Sequence, residues 1–139
     1  MTGCRAMQLV LDTNVVLDLL VFDDPRSRPL SEGLAGGTLH WLATAAMREE
    51  LARVLDYPKL AQRVAFHRGS AESVLLEFDR HARLVEEPEK ASVTCGDPDD
   101  QKFIDLAVAH RCLLLSKDHE VLRMRKRLAR LQVTATASL

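Results

Sequence analysis

The sequence predicts an α/β domain in which a parallel sheet is covered by helices on both faces. Two short, largely apolar runs at residues 8–11 and 112–116 have the composition of strands that are buried on both faces. Helical segments follow each run, and this alternation of strands and helices is typical of parallel sheets. With 139 residues, of which 47% are hydrophobic, the chain is expected to form a single domain over residues 1–139, with residues 1–6 as a disordered N-terminal extension.

The helices are predicted by apolar residues at helical spacing, bounded by capping residues, glycine or proline. In chain order they span residues 15–22, 30–34, 45–55, 60–66, 70–82, 100–110 and 119–128. Thr13 or Asn14 can cap the first helix, which would leave Asp12 free for another role, and Thr44 can cap the third. Tyr57 ends the third helix, because a residue that precedes proline is disfavoured in the α conformation.

The strands are predicted by short apolar or β-branched runs between these helices. They span residues 8–11, 38–42, 112–116 and 131–135. Residues 84–85 and 91–94 are two further extended candidates, whose pairing the sequence leaves open. The stretch 23–29, with two prolines and almost no apolar residues, is predicted to be a loop.

Charge and hydropathy exclude some classes of protein. The 19 basic and 20 acidic residues give a net charge of −1, so the total charge neither favours nor excludes a nucleic-acid partner. No apolar run approaches the length of a membrane span, and residues 1–6 lack the apolar core of a signal peptide. A soluble, cytoplasmic protein without a membrane partner is therefore expected. Three cysteines without a Cys-x-x-Cys pair favour a reducing compartment and argue against structural zinc.

Four carboxylates stand out by their positions in this pattern. Asp12 follows one buried strand and Asp118 stands just past the end of another, and parallel strands end at the same edge of a sheet. Glu50 lies beside the apolar stripe of its helix, and Asp100 lies on the inward side of the first turn of its helix, whereas Glu49 points towards solvent.

Converging carboxylates repel one another unless a cation binds between them. Mg²⁺ and Mn²⁺ prefer oxygen ligands, and such an ion can activate water for attack on a phosphodiester. The pattern therefore indicates nuclease chemistry, with four independent surface acids as the alternative.

These acids lie in four motifs, which are Leu11-Asp12-Thr13-Asn14, Glu49-Glu50-Leu51, Asp97-Pro98-Asp99-Asp100-Gln101-Lys102-Phe103 and Ser116-Lys117-Asp118. In this order and spacing the motifs resemble those of PIN-domain ribonucleases, above all the VapC-like toxin components of toxin–antitoxin systems. The resemblance implies a three-layer α/β/α, Rossmann-like PIN domain with a central, mostly parallel sheet. It further implies Mg²⁺- or Mn²⁺-dependent cleavage of an RNA substrate, a cognate antitoxin protein as partner, and a homodimer or higher oligomer.

The resemblance also implies roles for individual residues. The catalytic and metal-binding residues would be Asp12, Glu50, Asp100 and Asp118, and the supporting residues would be Asn14 and Ser116. Lys117 stands where the family often has glycine. Glu120 stands where the family often has a second aspartate, so it is a candidate outer ligand only. The glycine that usually precedes the late strand is replaced by Arg111 and its neighbours.

Because a cluster of carboxylates repels phosphate, RNA affinity is expected to come from a rim of basic residues. The candidates are Lys102, Lys117, Arg123 and Lys126, with Arg48 as a further one. Asp18, Asp97 and Asp99 could contribute to the negative field of the site, but as acids of a helix surface and an N-terminal loop they need no function.

Two alternatives stay open at this point. A catalytically inactive module of the same fold could act through RNA or antitoxin binding alone. A receiver-like phosphoacceptor domain would also place aspartates at strand ends, although it would have an acidic pair where Asp12 stands alone.

Overall fold

The computed structural model describes residues 7–139, so the predicted disorder of residues 1–6 lies outside the described residues. Its centre is a five-stranded sheet in the order β3-β2-β1-β4-β5. All four neighbouring pairs are parallel, which confirms the predicted α/β class. The strands are β1 (Met7–Leu11), β2 (Leu39–Ala43), β3 (Ala82–Leu84), β4 (Leu113–Leu115) and β5 (Thr134–Thr136).

Eight α-helices in residues 7–139 cover the sheet and give the three-layer α/β/α arrangement. They are α1 (Thr13–Leu20), α2 (Arg28–Gly36), α3 (Ala45–Leu55), α4 (Pro58–Arg68), α5 (Ala71–His81), α6 (Gln101–His110), α7 (His119–Leu122) and α8 (Arg125–Arg130). Two 3₁₀ turns, Pro25–Ser27 and Pro98–Asp100, precede α2 and α6. None of these helices has the length and the apolar composition needed to cross a membrane.

The core is built on the central strand, because β1 is covered on both faces. Leu9 and Val10 have no exposed surface and Leu11 is 2% exposed, as expected for a strand in the middle of a parallel sheet. On β2, Trp41 packs edge-on against Phe78 of α5, with ring centroids 4.9 Å apart. This pair joins the sheet to the helical layer.

The order of the strands determines where a site can form. β1 pairs with β2 on one side and with β4 on the other, so the chain reverses its direction of winding at β1. In open α/β sheets, this reversal leaves a crevice outside the carboxyl ends of the strands, where ligands bind. Asp12 follows β1 directly, at that crevice.

The segment between β3 and α6 differs from the prediction, because residues 91–94 do not form a strand. The backbone N–H groups of this segment donate hydrogen bonds to side chains instead. The Ala91 N–H donates to the Asp105 carboxylate at 2.9 Å, and the Cys95 N–H donates to Gln101 Oε1 at 2.7 Å. Since both acceptors lie on α6, the segment is bound to that helix and not to a neighbouring strand.

Two predicted segments also differ from the structure, whereas the end of α6 agrees with the prediction. The predicted loop at 23–29 already contains a 3₁₀ turn and the start of α2, because Asp24 caps the turn and Pro25 begins it. The predicted helix at 119–128 is two helices, since the Met124 N–H bonds to the Val121 carbonyl three residues back and ends the first one. Arg111 ends α6 in the left-handed conformation, with φ 50° and ψ 56°, where a glycine would be less strained.

Candidate metal centre

Asp12 is held rigidly at the carboxyl end of β1. It is 4% exposed, and the Ser116 hydroxyl donates to its Oδ2 at 2.7 Å. The sequence predicted Thr13 or Asn14 as the cap of α1, but the cap is Asp12 itself, whose Oδ1 accepts from the Asn14 N–H at 3.1 Å. The prediction was wrong because Asp12 has the extended backbone of an N-cap, while the helix already begins at Thr13.

Ser116 joins the two central strand ends. Its side chain is fully buried and, while donating to Asp12, it accepts from the Asp118 N–H at 3.1 Å. Asp118 in turn caps α7, with its Oδ1 accepting from the Glu120 N–H at 2.8 Å. Asp12 and Asp118 are therefore brought to one edge of the sheet by β1, β4 and a shared hydroxyl.

Asp97 and Asp100 complete the group on the side of α6. One carboxylate oxygen each from Asp97, Asp100 and Asp118 lies within 4.8 Å of the other two. Sequence reasoning treated Asp97 as a surface acid, but the 3₁₀ turn Pro98–Asp100 returns the chain so that Asp97 faces the same point as Asp100. The proline-containing spacing of three residues between the two acids was the signal that could have indicated this.

The Asp100 side chain shows that the group is electrostatically incomplete. It is 8% exposed, and among the described residues its Oδ2 is a buried side-chain oxygen without a hydrogen-bond partner. Burial, together with the charges of Asp12 and Asp118, raises the pKa of Asp100 from 3.8 to about 7. Burial also raises the pKa of Asp12, although the hydrogen bonds from Ser116 and the Asn14 N–H oppose this effect.

Glu50 approaches the group from α3 and lies outside the three-oxygen cluster. Its Oε2 accepts from the Thr13 hydroxyl, next to Asp12 in the chain, and its charge contributes to the raised pKa of Asp12. Its Oε1 forms an ion pair with Lys102 Nζ at 2.6 Å. The Thr13 contact was not predicted, although the threonine lies in the first motif.

The remaining predicted residues lie as follows. The Asn14 side chain is exposed, so its backbone N–H is the part that contacts Asp12. Lys126 is exposed and forms no ion pair within residues 7–139. The other four rim candidates are engaged by carboxylates, in the pairs Lys102–Glu50 at 2.6 Å, Lys117–Asp18, Arg123–Glu120 at 3.1 Å and Arg48–Asp79 at 2.8 Å. The proposed RNA rim therefore stays a prediction.

The donor set fits a hard divalent cation. Every candidate ligand is a carboxylate oxygen, which Mg²⁺ and Mn²⁺ prefer over nitrogen or sulfur. A bound cation would give the Asp100 oxygen a partner. It would also stabilise the ionised forms of Asp12 and Asp100, whose pKa values are raised. The oxygen ligands and their charge are therefore suited to Mg²⁺ or Mn²⁺.

Comparison with known proteins agrees with this arrangement. A family model described as PIN domain matches residues 8–120, a range that includes Asp12, Glu50, Asp100 and Asp118. The fold is similar to a chain in the crystal structure of VapBC2 from Rickettsia felis bound to a DNA fragment from their promoter. The TM-score is 0.61 at 16% sequence identity, covering 93% of this chain and 98% of that chain. A search of curated proteins gave no match.

Proposed function

Since the chain belongs to the PIN domain family, whose members are nucleases, we propose that it is a metal-dependent endoribonuclease. The reaction would be hydrolysis of RNA phosphodiester bonds with Mg²⁺ or Mn²⁺ as cofactor. The observation that carries this proposal is the buried, partnerless Asp100 oxygen within a group of carboxylates at the crevice of the sheet. A purely structural role would not require like charges to be buried together without a partner.

In this proposal the metal ligands are Asp12, Glu50, Asp100 and Asp118, with Asp97 as an additional candidate. A divalent cation bound there would supply an activated water and would neutralise the charge that develops on the phosphodiester. Ser116 and the Asn14 N–H hold the two Asp12 oxygens in a fixed orientation.

The proton on Asp100 is part of the same proposal. Because the pKa of Asp100 is about 7, its carboxyl group holds a proton in a substantial fraction of molecules near neutral pH. Asp100 releases this proton before both of its oxygens can serve as ligands, so metal affinity should rise with pH through this range.

The test is cleavage of RNA by the parent, by Asp12→Asn and by the matched control Glu49→Gln. Asp12→Asn keeps the shape of the side chain but removes a charge, so we expect cleavage to fall by more than roughly 100-fold. Glu49 is exposed on α3, so Glu49→Gln should cleave as the parent does. Activity should require Mg²⁺ or Mn²⁺ and disappear in EDTA. An Asp12→Asn protein as active as the parent would refute the proposal, and RNA binding without cleavage by the parent would favour the inactive module.

We further propose that the chain acts in the cytoplasm as the toxin of a toxin–antitoxin pair, with a cognate antitoxin and a homo-oligomeric state. The similar fold of the VapBC2 chain supports this proposal, and the free, buried Cys95 and Cys112 suit a reducing compartment. Induced expression of the parent should arrest growth, whereas Asp12→Asn should not. Co-expression of a small DNA-binding protein from the neighbouring reading frame should relieve the arrest. Equal growth with parent and variant would contradict the toxin assignment.

A further inference from the structure

Helix α4 presents an unusual exposed face. Lys59, Gln62, Arg63 and Phe66 are all exposed, and the last three follow Lys59 by three, four and seven residues, so the four share one side of the helix. Val64, the buried residue of α4, lies on the other side. Phe66 is 83% exposed, the most of any large hydrophobic side chain described, so its ring is accessible to a ligand.

The charge of α4 is entirely of one sign. Residues 58–68 contain lysine, arginine and histidine but no aspartate or glutamate. Within residues 7–139, neither Lys59 nor Arg63 forms an ion pair with a carboxylate. This distinguishes them from Lys102, which is neutralised by Glu50 at the metal centre. Neither charge is therefore neutralised by a carboxylate, although the Arg63 guanidinium also lies over the Phe22 ring.

We propose that the α4 face, defined by Lys59, Gln62, Arg63 and Phe66, binds a single-stranded segment of the RNA substrate. In this arrangement the Phe66 ring stacks on a base, while Arg63 and Lys59, about one and two helical turns N-terminal to it, contact phosphates along the strand. Exposed aromatic rings beside cations hold single strands in many proteins without reading their sequence. The proposal rests on the proposed function, and it identifies where affinity for RNA arises when the catalytic centre itself is acidic.

Helix α4 lies beside the end of α1 that is farther from the metal centre. The Arg63 guanidinium carbon lies 4.8 Å from the centroid of the Phe22 ring, just past the end of α1. Asp12 caps the start of α1, and a helix of 8 residues is about 12 Å long. An RNA strand that contacts both the α4 face and the carboxylates would therefore have to extend over at least this length.

The test is binding of a fluorescently labelled single-stranded RNA of about 12 nucleotides, measured by anisotropy in EDTA so that cleavage does not interfere. Phe66→Ala should weaken binding roughly tenfold, because stacking on one base is lost. Phe66→Leu should weaken RNA binding to a similar extent, since leucine keeps apolar surface but lacks the ring. Leu76→Ala is the matched control, because Leu76 is also a highly exposed hydrophobic residue, 68% exposed, but lies on α5. The RNA affinity of this variant should equal that of the parent.

The phosphate contacts have a separate readout. The double variant Lys59→Ala/Arg63→Ala should reduce the slope of log affinity against log salt by about 1.4, since each phosphate contact on a single strand contributes about 0.7. Unchanged RNA affinity in Phe66→Ala would overturn the proposal. So would a change in the sedimentation of Phe66→Ala without a change in RNA affinity, because the face would then join two copies of the chain.

Cleavage distinguishes this inference from the proposed function. If the parent binds RNA in a Phe66-dependent manner but does not cleave it with Mg²⁺ or Mn²⁺, the nuclease assignment fails and the α4 proposal stands. If the parent cleaves RNA and Phe66→Ala raises the KM for the same RNA, both are supported. Cleavage by the parent with no effect of Phe66→Ala on KM or affinity removes the α4 face and leaves the nuclease.

Discussion

Replacing Asp100 by asparagine is expected to stabilise the protein in the absence of metal, and increasingly so as the pH rises. The pKa of Asp100 is raised to about 7 in the folded protein, whereas an unfolded chain has the ordinary value near 3.8. Between these two values the folded state binds more protons than the unfolded state, so stability falls as the pH rises and the loss is complete above about 7. Asparagine carries no charge and removes this loss.

The magnitude follows from the size of the pKa change. A rise from 3.8 to about 7 corresponds to about 4 kcal/mol of unfolding free energy at about 1.4 kcal/mol per pH unit. Asp97 and Asp118 are only half-buried, so water screens part of the repulsion. We expect Asp100→Asn to be about 2 kcal/mol more stable than the parent at about pH 8, and less than about 1 kcal/mol more stable at about pH 5.

Urea denaturation in EDTA at the two pH values measures this difference. Asp99→Asn is the matched control, because Asp99 is the exposed neighbour in the same turn, and its difference from the parent should not depend on pH. Saturating Mg²⁺ or Mn²⁺ should reverse the order, because only the parent keeps the full ligand set and a bound ligand stabilises the folded state. A difference between Asp100→Asn and the parent that is the same at both pH values would show that burial of the Asp100 charge and its repulsion by the other carboxylates are not the cause.

Three further substitutions test other parts of the arrangement. Ser116→Ala should lower the free energy of unfolding by about 1–2 kcal/mol, because the hydrogen bond to Asp12 is lost. Loss of this bond should also raise the pKa of Asp12 further, so the pH midpoint of metal binding should shift to higher pH. Lys102→Met should tighten Mn²⁺ binding roughly three- to tenfold, because the ammonium group no longer competes with the metal for Glu50. Electron paramagnetic resonance measures this binding, and weaker binding would instead show that Lys102 positions Glu50. Arg111→Gly should raise stability by about 0.5–1 kcal/mol in thermal unfolding, since glycine adopts the left-handed conformation without strain, and an unchanged melting temperature would contradict this reasoning.

The sequence predicted the sheet and the strand-end aspartates well, because both depend on simple periodicity. A continuous apolar run such as Leu9 to Leu11 is typical of a strand that is buried on both faces of a parallel sheet, and the residue that follows it then lies at the crevice. The capping role of Asp12 was not predicted, because three polar residues in succession, 12–14, are each suitable caps and the local pattern does not distinguish them.

Two features were not predicted for a different reason, namely the pairing of residues 91–94, which the sequence left open, and the approach of Asp97 to the other acids. The conformation of residues 91–94 depends on contacts with α6, such as the bond from the Ala91 N–H to Asp105, and not on the local pattern. The ion pairs of the rim candidates are also non-local, since the acids that pair with Lys117 and Arg48 come from distant parts of the chain. Tertiary contacts of this kind cannot be read from spacing along the sequence.

The bond from Ser116 to Asp12 joins residues that are 104 positions apart, and it closes the interface between β1 and β4. Closing so long a loop is entropically costly, so contacts of this kind tend to form late in folding, after the local helices. The carboxylates would therefore remain apart while most of the chain is being synthesised, and a polypeptide that stops before Asp118 would have no assembled centre. If the chain cleaves RNA as proposed, this order of events would delay hydrolysis until the segment through Asp118 has been translated and folded.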